Sequence, residues 1–597
     1  MGSEIAKKLW RLMTASERRE AIGLLFLMFF GAILETCSVG LVIPALAFMV
    51  RSDLQAQFPA LAHLLGKLGP LTPEQLVVGG LAALVLIYVF KGVFLAFLAY
   101  KNLHFVFGMQ ADMSLRVFTG YLRQPYTFHM QRNSAELIRN ALGEVYFLMH
   151  YGLYEALRFF SELLVIIGIL SLLLYIEPFG AALSISTLLV IGGGFYFVTR
   201  KRMLRWGEMR QKFERMRLQY LQEGLGGVKE LLLLGREDEF IRRYREQALG
   251  YARISTRQNT LQELPRLMLE IIAVAALAVL VIMLLSEGRP LASLVPTIGL
   301  FGAAAFRVMP SANRIMNSIQ IMRHAKPAIN SLALEMETLA SAEKSSGVQP
   351  LTFERTLSVQ DASFTYPGTD SPALRDISLT LHSGQSIGLV GGSGSGKSTL
   401  VDVILGLLRP QGGSVRIDGV DIGENLRSWQ SRIGYVPQQI FLTDDTLRRN
   451  VAFGIPDAEI DEGMLQRALR AAQLDGFVAT LPTGLDTMVG ERGVRLSGGQ
   501  LQRIGIARAL YHDPTVLVLD EATSALDTAT EREVMSAVRA LHGAKTVIIV
   551  AHRLTTVAEC DFLYRLEGGR VMQKGIPDEL IPRDNATLRD ADNPLTG

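Results

Sequence analysis

A glycine-rich run, Gly391-Gly392-Ser393-Gly394-Ser395-Gly396-Lys397-Ser398-Thr399, follows the apolar stretch from Ser386 to Val390 and leads into a helical pattern. The spacing fits G-x-x-x-x-G-K-[ST], a phosphate-binding loop. Its glycines let backbone N–H groups close around phosphate oxygens. Lys397 neutralises the β/γ charge, Ser398 offers a hydroxyl to Mg²⁺, and the helix N-terminus adds its positive end. A dinucleotide fingerprint fails because Lys397 occupies the third glycine position. Downstream, Val516 to Leu519 lead to Asp520-Glu521, which reads as a buried strand delivering one carboxylate to Mg²⁺ and a second toward an attacking water. Glu521 is the expected general base. The implied chemistry is hydrolysis of ATP with Mg²⁺.

Between these elements lies Leu496-Ser497-Gly498-Gly499-Gln500. This LSGGQ run resembles the signature of ATP-binding cassette (ABC) transporters, and the resemblance extends over nearly the whole chain. It implies an adenine-stacking role for Tyr366 in SFTYPG and a Q-loop role for Gln438 in GYVPQ, which is catalytic and a Mg²⁺ ligand. It also implies a D-loop role for Asp527 in SALD and a switch role for His552 in VAHR. In the family, Ser497 and the glycines after it bind the γ-phosphate held by the P-loop of a second cassette, with the helix that follows pointing its positive end at that phosphate. One chain carries one cassette, so two chains must associate. With Glu521, His552 and LSGGQ all present, two identical chains would form two competent sites. A homodimer is therefore expected, with a heterodimer as the alternative.

A hydrolysis site that moves something needs elements in a second solvent. The chain has 597 residues, too many for one ordinary domain, and 49% are hydrophobic. Apolar runs at about 21–50, 77–105, 144–176, 178–199, 265–286 and 291–320 are each long enough to cross a hydrocarbon core, and Glu177-Pro178 supplies a tight turn between the third and fourth. The expected fold is an all-α six-helix transmembrane domain joined to a cytoplasmic α/β P-loop NTPase domain. Its expected boundaries are 1–340 for the membrane part, 341–354 for a linker, 355–580 for the cassette and 581–597 for a polar tail. The basic stretch from Glu4 to Glu20, with Trp10, reads as an interfacial helix, and Leu54 to Leu68 as either a helix on the outer membrane surface or a packed loop helix.

Arginines and lysines cluster after the second and fourth runs (Arg116, Arg123, Arg132, Arg139; Arg200, Lys201, Arg202, Arg205, Arg210), which places both termini inside by the positive-inside rule. The long basic stretches keep a helical period, so the spanning helices are expected to continue into the cytoplasm. Turns at Gln124-Pro125-Tyr126 and Gly226-Gly227-Val228 fall where similar exporters place coupling helices, and each is expected on the cassette surface near Gln438. A net charge of +3 gives no reason to expect a nucleic-acid partner, and two distant cysteines, Cys37 and Cys560, exclude a disulfide framework.

Charges within apolar runs cost a few kcal/mol each unless they face a cavity or a partner, roughly 2.5–3.5 on insertion scales. Lys91, Arg266, Arg307 and Arg314 are such charges, the last two seven residues apart and so nearly on one helix face. Lining a cavity, they would favour an anionic amphiphile, and guanidinium forks suit phosphate or pyrophosphate. The competing expectation is that they snorkel or pair with Glu35 and Glu270. AILETCSVGLVIPALAFM, PRLMLE and FRVMPSANRI resemble the bacterial flippases for lipid-linked oligosaccharides, whose membrane basic positions fall on these four residues. That resemblance implies export or flipping of a lipid-linked pyrophosphate oligosaccharide in a bacterial inner membrane. The alternatives are a multidrug, peptide or lipid A exporter and, further off, an ATP-gated channel or regulator.

Overall fold

The computed structural model describes Lys7 and residues 10–41, 73–286, 291–340, 351–490, 496–522, 528–551 and 553–580. The expected surface helix at 54–68, linker positions 341–350 and the tail 581–597 lie outside the described residues. The chain forms two compact units, Met1–Gln124 with Arg132–Ser341, and Pro125–Gln131 with Ala342–Gly597.

The first unit is helical. Helix α1 (Ala15–Gly40) opens on a capping box in which Thr14 accepts from the Glu17 N–H and Glu17 accepts from the Thr14 N–H. Arg116 fixes this corner by donating to the Leu12 carbonyl at 3.0 Å and pairing with Glu17 at 3.2 Å. The interfacial helix expected over 4–20 is therefore broken at Thr14, and Arg18 and Arg19 belong to the first turns of the spanning helix. Helix α2 (Pro73–Leu122) is followed by the short α3 (Tyr126–Gln131). Next comes a helical run of α4 (Ser134–Ile138), α5 (Val145–Phe147) and α6 (Glu155–Ile176), with π turns at Arg139–Glu144 and Leu148–Tyr154 between them. Glu177 ends α6 and Pro178 opens α7 (Pro178–Gly226), the expected tight turn. Helix α8 (Val228–Leu234) stops at Gly235, whose φ of 60° is left-handed. Helices α9 (Glu237–Ser286) and α10 (Leu291–Ala340) complete the unit.

Among the described residues, three helical stretches meet both the length and the composition of a membrane span, Ala15–Gly40, Val78–Leu122 and Glu136–Ile176, with hydropathies of 2.1, 2.5 and 2.4. Helices of 50 residues such as α2, α9 and α10 extend about 75 Å at 1.5 Å per residue, more than twice the hydrocarbon thickness. Each therefore carries a long stalk outside the membrane. Helices α1, α6 and α10 share an apolar core of Ala32, Val39, Val165, Ile169, Leu173, Leu300 and Val308. Gly168 permits the close approach of α1 and α6, because a Cβ there would lie 2.2 Å from the Thr36 hydroxyl.

The second unit is a cassette of two main sheets. Strands β1 (Thr356–Phe364), β2 (Leu374–His382), β4 (Gly412–Ile417) and β5 (Val420–Asp421) form an antiparallel sheet in the order β2-β1-β4-β5. Strands β3 (Ser386–Val390), β6 (Ile433–Val436), β7 (Val516–Asp520), β8 (Thr546–Val550), β9 (Phe562–Glu567) and β10 (Arg570–Gly575) form the other, in the order β10-β9-β3-β8-β7-β6. All but β10 run parallel. Strands β3, β7 and β8 are buried at every position, which is why they read as unbroken apolar runs. Leu351 and Phe353, at 7% and 8% exposure, pack into the core of this unit beside Trp429.

The register aligns Val550 with Asp520 and with Leu389, and Val436 with Leu519, so the ends of four strands share one edge. Helix α11 (Lys397–Ile404) follows β3 there, and α12 (Gly498–Leu510) packs on β6. Gly434 makes that packing possible, since a Cβ would lie 2.5 Å from the Ala509 carbonyl oxygen. Gly434→Val is expected to destabilise the cassette by about 1–3 kcal/mol, as overpacking against backbone does, read as a fall in the first melting transition.

Candidate functional site

At the shared strand edge, the P-loop from Gly391 to Gly396 joins β3 to α11. Gly396, the residue before the helix, has φ 101°, and a Cβ would sit 2.8 Å from the Ala373 carbonyl, so only glycine fits. Lys397 is 4% exposed and donates to the carbonyls of Gly391 and Gly392 at 2.9 and 3.0 Å. Burial pulls its ammonium below the ordinary lysine range, against the opposing pull of Glu521 and Asp520. The side chain thus lies folded over its own loop.

Across the sheet, β7 carries Asp520 to the edge at 9% exposure. Burial first, and then the neighbouring Glu521, push its carboxyl up. One oxygen accepts from the Tyr435 hydroxyl at 3.4 Å; the other is buried with no hydrogen-bond partner among the described residues. A buried acceptor without a donor is what a cation ligand requires. Ser398 and Gln438 complete the expected donor set, and no cluster of three or more His, Cys, Asp or Glu competes for a metal among the described residues. One carboxylate with neutral oxygens suits Mg²⁺, which takes its remaining ligands from water and phosphate.

Glu521 has φ 49°, and its N–H donates to the Val550 carbonyl at 3.0 Å, a strained backbone held by β8. Gln438 donates to Glu521 Oε2 at 2.8 Å, and Gln502 of α12 donates to the Gln438 carbonyl at 3.4 Å. The Tyr366 hydroxyl lies 2.9 Å from that of Thr399, which brings the expected adenine platform beside α11. The structure thus assembles Tyr366, the P-loop, Lys397, Thr399, Gln438, Asp520 and Glu521 around one edge.

Ser497 caps α12 through a capping box with Gln500, at 3.3 and 2.9 Å, and is exposed together with Gly498. No hydrogen bond among the described residues joins Ser497, Gly498, Gly499 or Gln500 to the P-loop. Asp527 and His552 lie outside the described residues, but the flanks of position 552 are braced: Arg553 and Thr556 both donate to Glu531 at 2.7 Å.

Three groups here escaped motif reading. Tyr435 lies within GYVPQ, where only Gln438 has an expected role; Gln502 carries no motif, and Asp402, one helical turn beyond Ser398, reads as an ordinary helix residue. Burial, then Asp520, push the Asp402 carboxyl up to about 6. Tyr126 of α3 belongs to this same unit, and burial followed by Asp402 and Tyr366 raises its phenol. Tyr126 also acts on Tyr435, three residues before Gln438, so its electrostatic neighbours are Asp402, Tyr366 and Tyr435. A carboxyl raised in the fold costs stability while ionised, a cost present above about pH 6 that falls away as pH drops toward the unfolded value of 3.8. Asp402→Asn is expected to raise the nucleotide-free melting temperature at pH 7.5 and to leave it unchanged near pH 4.

The expected cavity cations are in the membrane unit. Arg307 donates to both oxygens of Glu35 at 2.8 and 2.9 Å, and its third nitrogen reaches Ser311 at 3.1 Å. Lys91 lies 3.7 Å from Glu35 and donates to Ser38 at 3.1 Å. Arg314 pairs with Glu162 at 3.0 Å, and Arg307 approaches the same carboxylate at 3.7 Å. Among the described residues, three of the four sit in an ion-pair network, because an unpaired charge in a low-dielectric interior is costly. Glu162, which sequence reading missed, is only 8% exposed. Arg266 lies on α9, and its side chain is outside the described residues.

Comparison with known proteins accounts for this arrangement. Residues 19–298 match the family profile described as ABC transporter transmembrane region, and residues 374–524 match the ABC transporter profile. The ATP-dependent lipid A-core flippase of Cupriavidus pinatubonensis is 30% identical over 475 residues, 79% of this chain and 80% of that protein. The protein of that name from Alkalilimnicola ehrlichii is 34% identical over 373 residues, 61% of this chain and 62% of its own. A bacterial Atm1-family ABC exporter with ATP bound superimposes with a TM-score of 0.76 at 23% identity, covering 98% of this chain and all of that one (100%), which shows the shared fold. The chain belongs to the ABC transporter family, as an exporter half-transporter that couples ATP hydrolysis in one cassette to transport through one helical membrane domain.

Proposed function

We propose that this half-transporter works as a homodimer that flips a phosphate-bearing, glycan-carrying lipid across a bacterial inner membrane, with both termini and the cassettes in the cytoplasm. The carrying observation is the membrane network itself. Lys91, Arg158, Arg307 and Arg314 meet Glu35, Glu155 and Glu162, four cations to three carboxylates, within helices α1, α2, α6 and α10. Among the described residues the excess is positive, and two of the cations are guanidinium forks on nearly one face of α10. A lipid-linked pyrophosphate oligosaccharide and a lipid A-type glycolipid both present anionic phosphate on a sugar. The resemblance of the membrane motifs supports the first, and the name of the relatives supports the second.

Dimerisation is supported by two exposed features. Ser497 and Gly498 face outward at the N-terminus of α12, free to meet a phosphate held elsewhere. Helix α8 leaves Val228, Leu232, Leu233 and Leu234 at 48%, 63%, 77% and 71% exposure, an apolar surface that needs cover.

In the catalytic site, Lys397 and the P-loop amides orient the phosphates, and Tyr366 stacks on the base. Ser398, Gln438 and Asp520 would hold Mg²⁺, which supplies charge neutralisation at the β/γ oxygens. Glu521, positioned by Val550 and Gln438, takes the proton of the attacking water; His552 and Asp527 keep the switch and D-loop roles that the family resemblance implies. Gln438 reports the state of that carboxylate to α12 through Gln502.

The test is ATPase and flipping activity in proteoliposomes with three probes: a polyprenyl-pyrophosphate oligosaccharide, a lipid A-type phosphoglycolipid and a cationic drug. Stimulation by either phosphate lipid and none by the drug is expected, and the stronger phosphate lipid names the substrate class. Glu521→Gln should cut hydrolysis by about 10²–10⁴-fold, the usual worth of a general base. Arg307→Ala/Arg314→Ala should remove lipid stimulation and flipping. Stimulation by the drug alone would overturn the anionic reading and leave the motor intact.

A further inference from the structure

Segment 125–131, which carries α3, is counted with the cassette, while its two flanks are counted with the membrane unit. Both flanks bind the end of α10. Arg132 Nη1 donates to both oxygens of Glu335, at 3.0 and 2.8 Å. Glu335 is 6% exposed. On the other flank, Gln124 donates to the Leu339 carbonyl at 3.5 Å. Gly120 lies so close that a Cβ would stand 2.9 Å from Leu339 Cδ1. Tyr121, 4% exposed, is buried beside Asn140 and Glu335.

After α10 the chain runs through 341–350 into the cassette. The chain thus passes between membrane unit and cassette at three points: after Gln124, before Arg132 and after α10. The two flanks of α3 and the end of α10 are held together beside one ion pair, in which Glu335 is buried and Arg132 part-buried. Exposed surface pairs are worth little, but a buried pair carries a heavy penalty for losing one member. Its place at the crossing of three chain segments makes it a mechanical element.

We propose that Arg132 and Glu335 form the coupling joint of this transporter, tying both feet of α3 to the stalk of α10 so that cassette displacement moves α2, the α4–α6 run and α10 as one body. They are positioning residues that touch neither nucleotide nor the membrane charge network. Without the pair, the cassette turns over while the membrane helices fail to follow.

The experiment uses the full chain in nanodiscs with spin labels at Tyr175→Cys and Ile282→Cys. Both positions are exposed, at 89% and 67%, and stand near the ends of α6, inside the moving body, and of α9, outside it. Cys37→Ala removes the exposed native thiol, and Cys560 is buried with its thiol pushed up to about 12, so it does not label. The parent protein should show an ATP-dependent shift in the label distance. Glu335→Gln and Arg132→Gln should hydrolyse ATP yet lose that shift, and the swap Arg132→Glu/Glu335→Arg should regain it. A shift that persists in the single variants overturns the joint. So does a swap variant that hydrolyses ATP without recovering the shift, and so does joint loss of hydrolysis and shift in every variant, which would mark the pair as a fold support only.

Discussion

Charge held out of water is the constraint on which both halves of this molecule depend. In the cassette, Lys397 turns onto the carbonyls of its own loop, and Asp520 keeps one oxygen bonded to Tyr435 and the other without a donor among the described residues. In the membrane unit, Arg307, Arg314 and Lys91 are answered by Glu35 and Glu162. The two solutions differ in kind. The cassette leaves an acceptor unmet, which a cation can satisfy; among its described residues the membrane unit pairs its charges internally, with cations in slight excess. The first is a site that waits for its ligand, and the second is one in which an anion must compete with carboxylates already in place.

That contrast bears on specificity. An anionic head group gains little from a cation that already has a full partner, because it must displace that partner and pay for the desolvation of both. Phosphate has an advantage over carboxylate in such a contest, since its greater charge and additional oxygens let it engage more than one fork at once. Arg307 and Arg314 both reach Glu162, so the network already places two guanidinium groups around one acid. A multiply charged head group suits that geometry, which is the physical reason for preferring a phosphate lipid over a singly charged amphiphile.

The parts of this arrangement that were legible in the sequence are the local ones. The P-loop, Asp520-Glu521 and LSGGQ declare themselves because backbone conformation and metal ligation demand particular residues at fixed spacing. The turn at Glu177-Pro178 and the buried strands β3 and β7 were legible for the same reason. What escaped depends on packing between distant segments. Glu162 is an isolated carboxylate in an apolar run until α6 meets α10, and Glu35 reads as ambiguous until Arg307, 272 residues away, closes on it. Asp402 and Tyr435 acquire their roles only when β7 brings Asp520 beside them. The break at Thr14 turned on a capping box, which a basic amphipathic stretch conceals. The two π segments leave no compositional trace.

Lys91 shows how far the charge logic reaches into one residue choice. Its ammonium stands 4.1 Å from the ring centre of Tyr88, bonds Ser38 at 3.1 Å and lies 3.7 Å from Glu35. A compact ammonium with rotatable donors can meet all three partners, whereas a planar guanidinium would commit its fork to one. Glu35 already gives both oxygens to the Arg307 fork, so a second fork would have no acceptor pair to fill. A lysine at position 91 is therefore consistent with a network in which Arg307 holds the bidentate contact and its neighbour supplies charge alone.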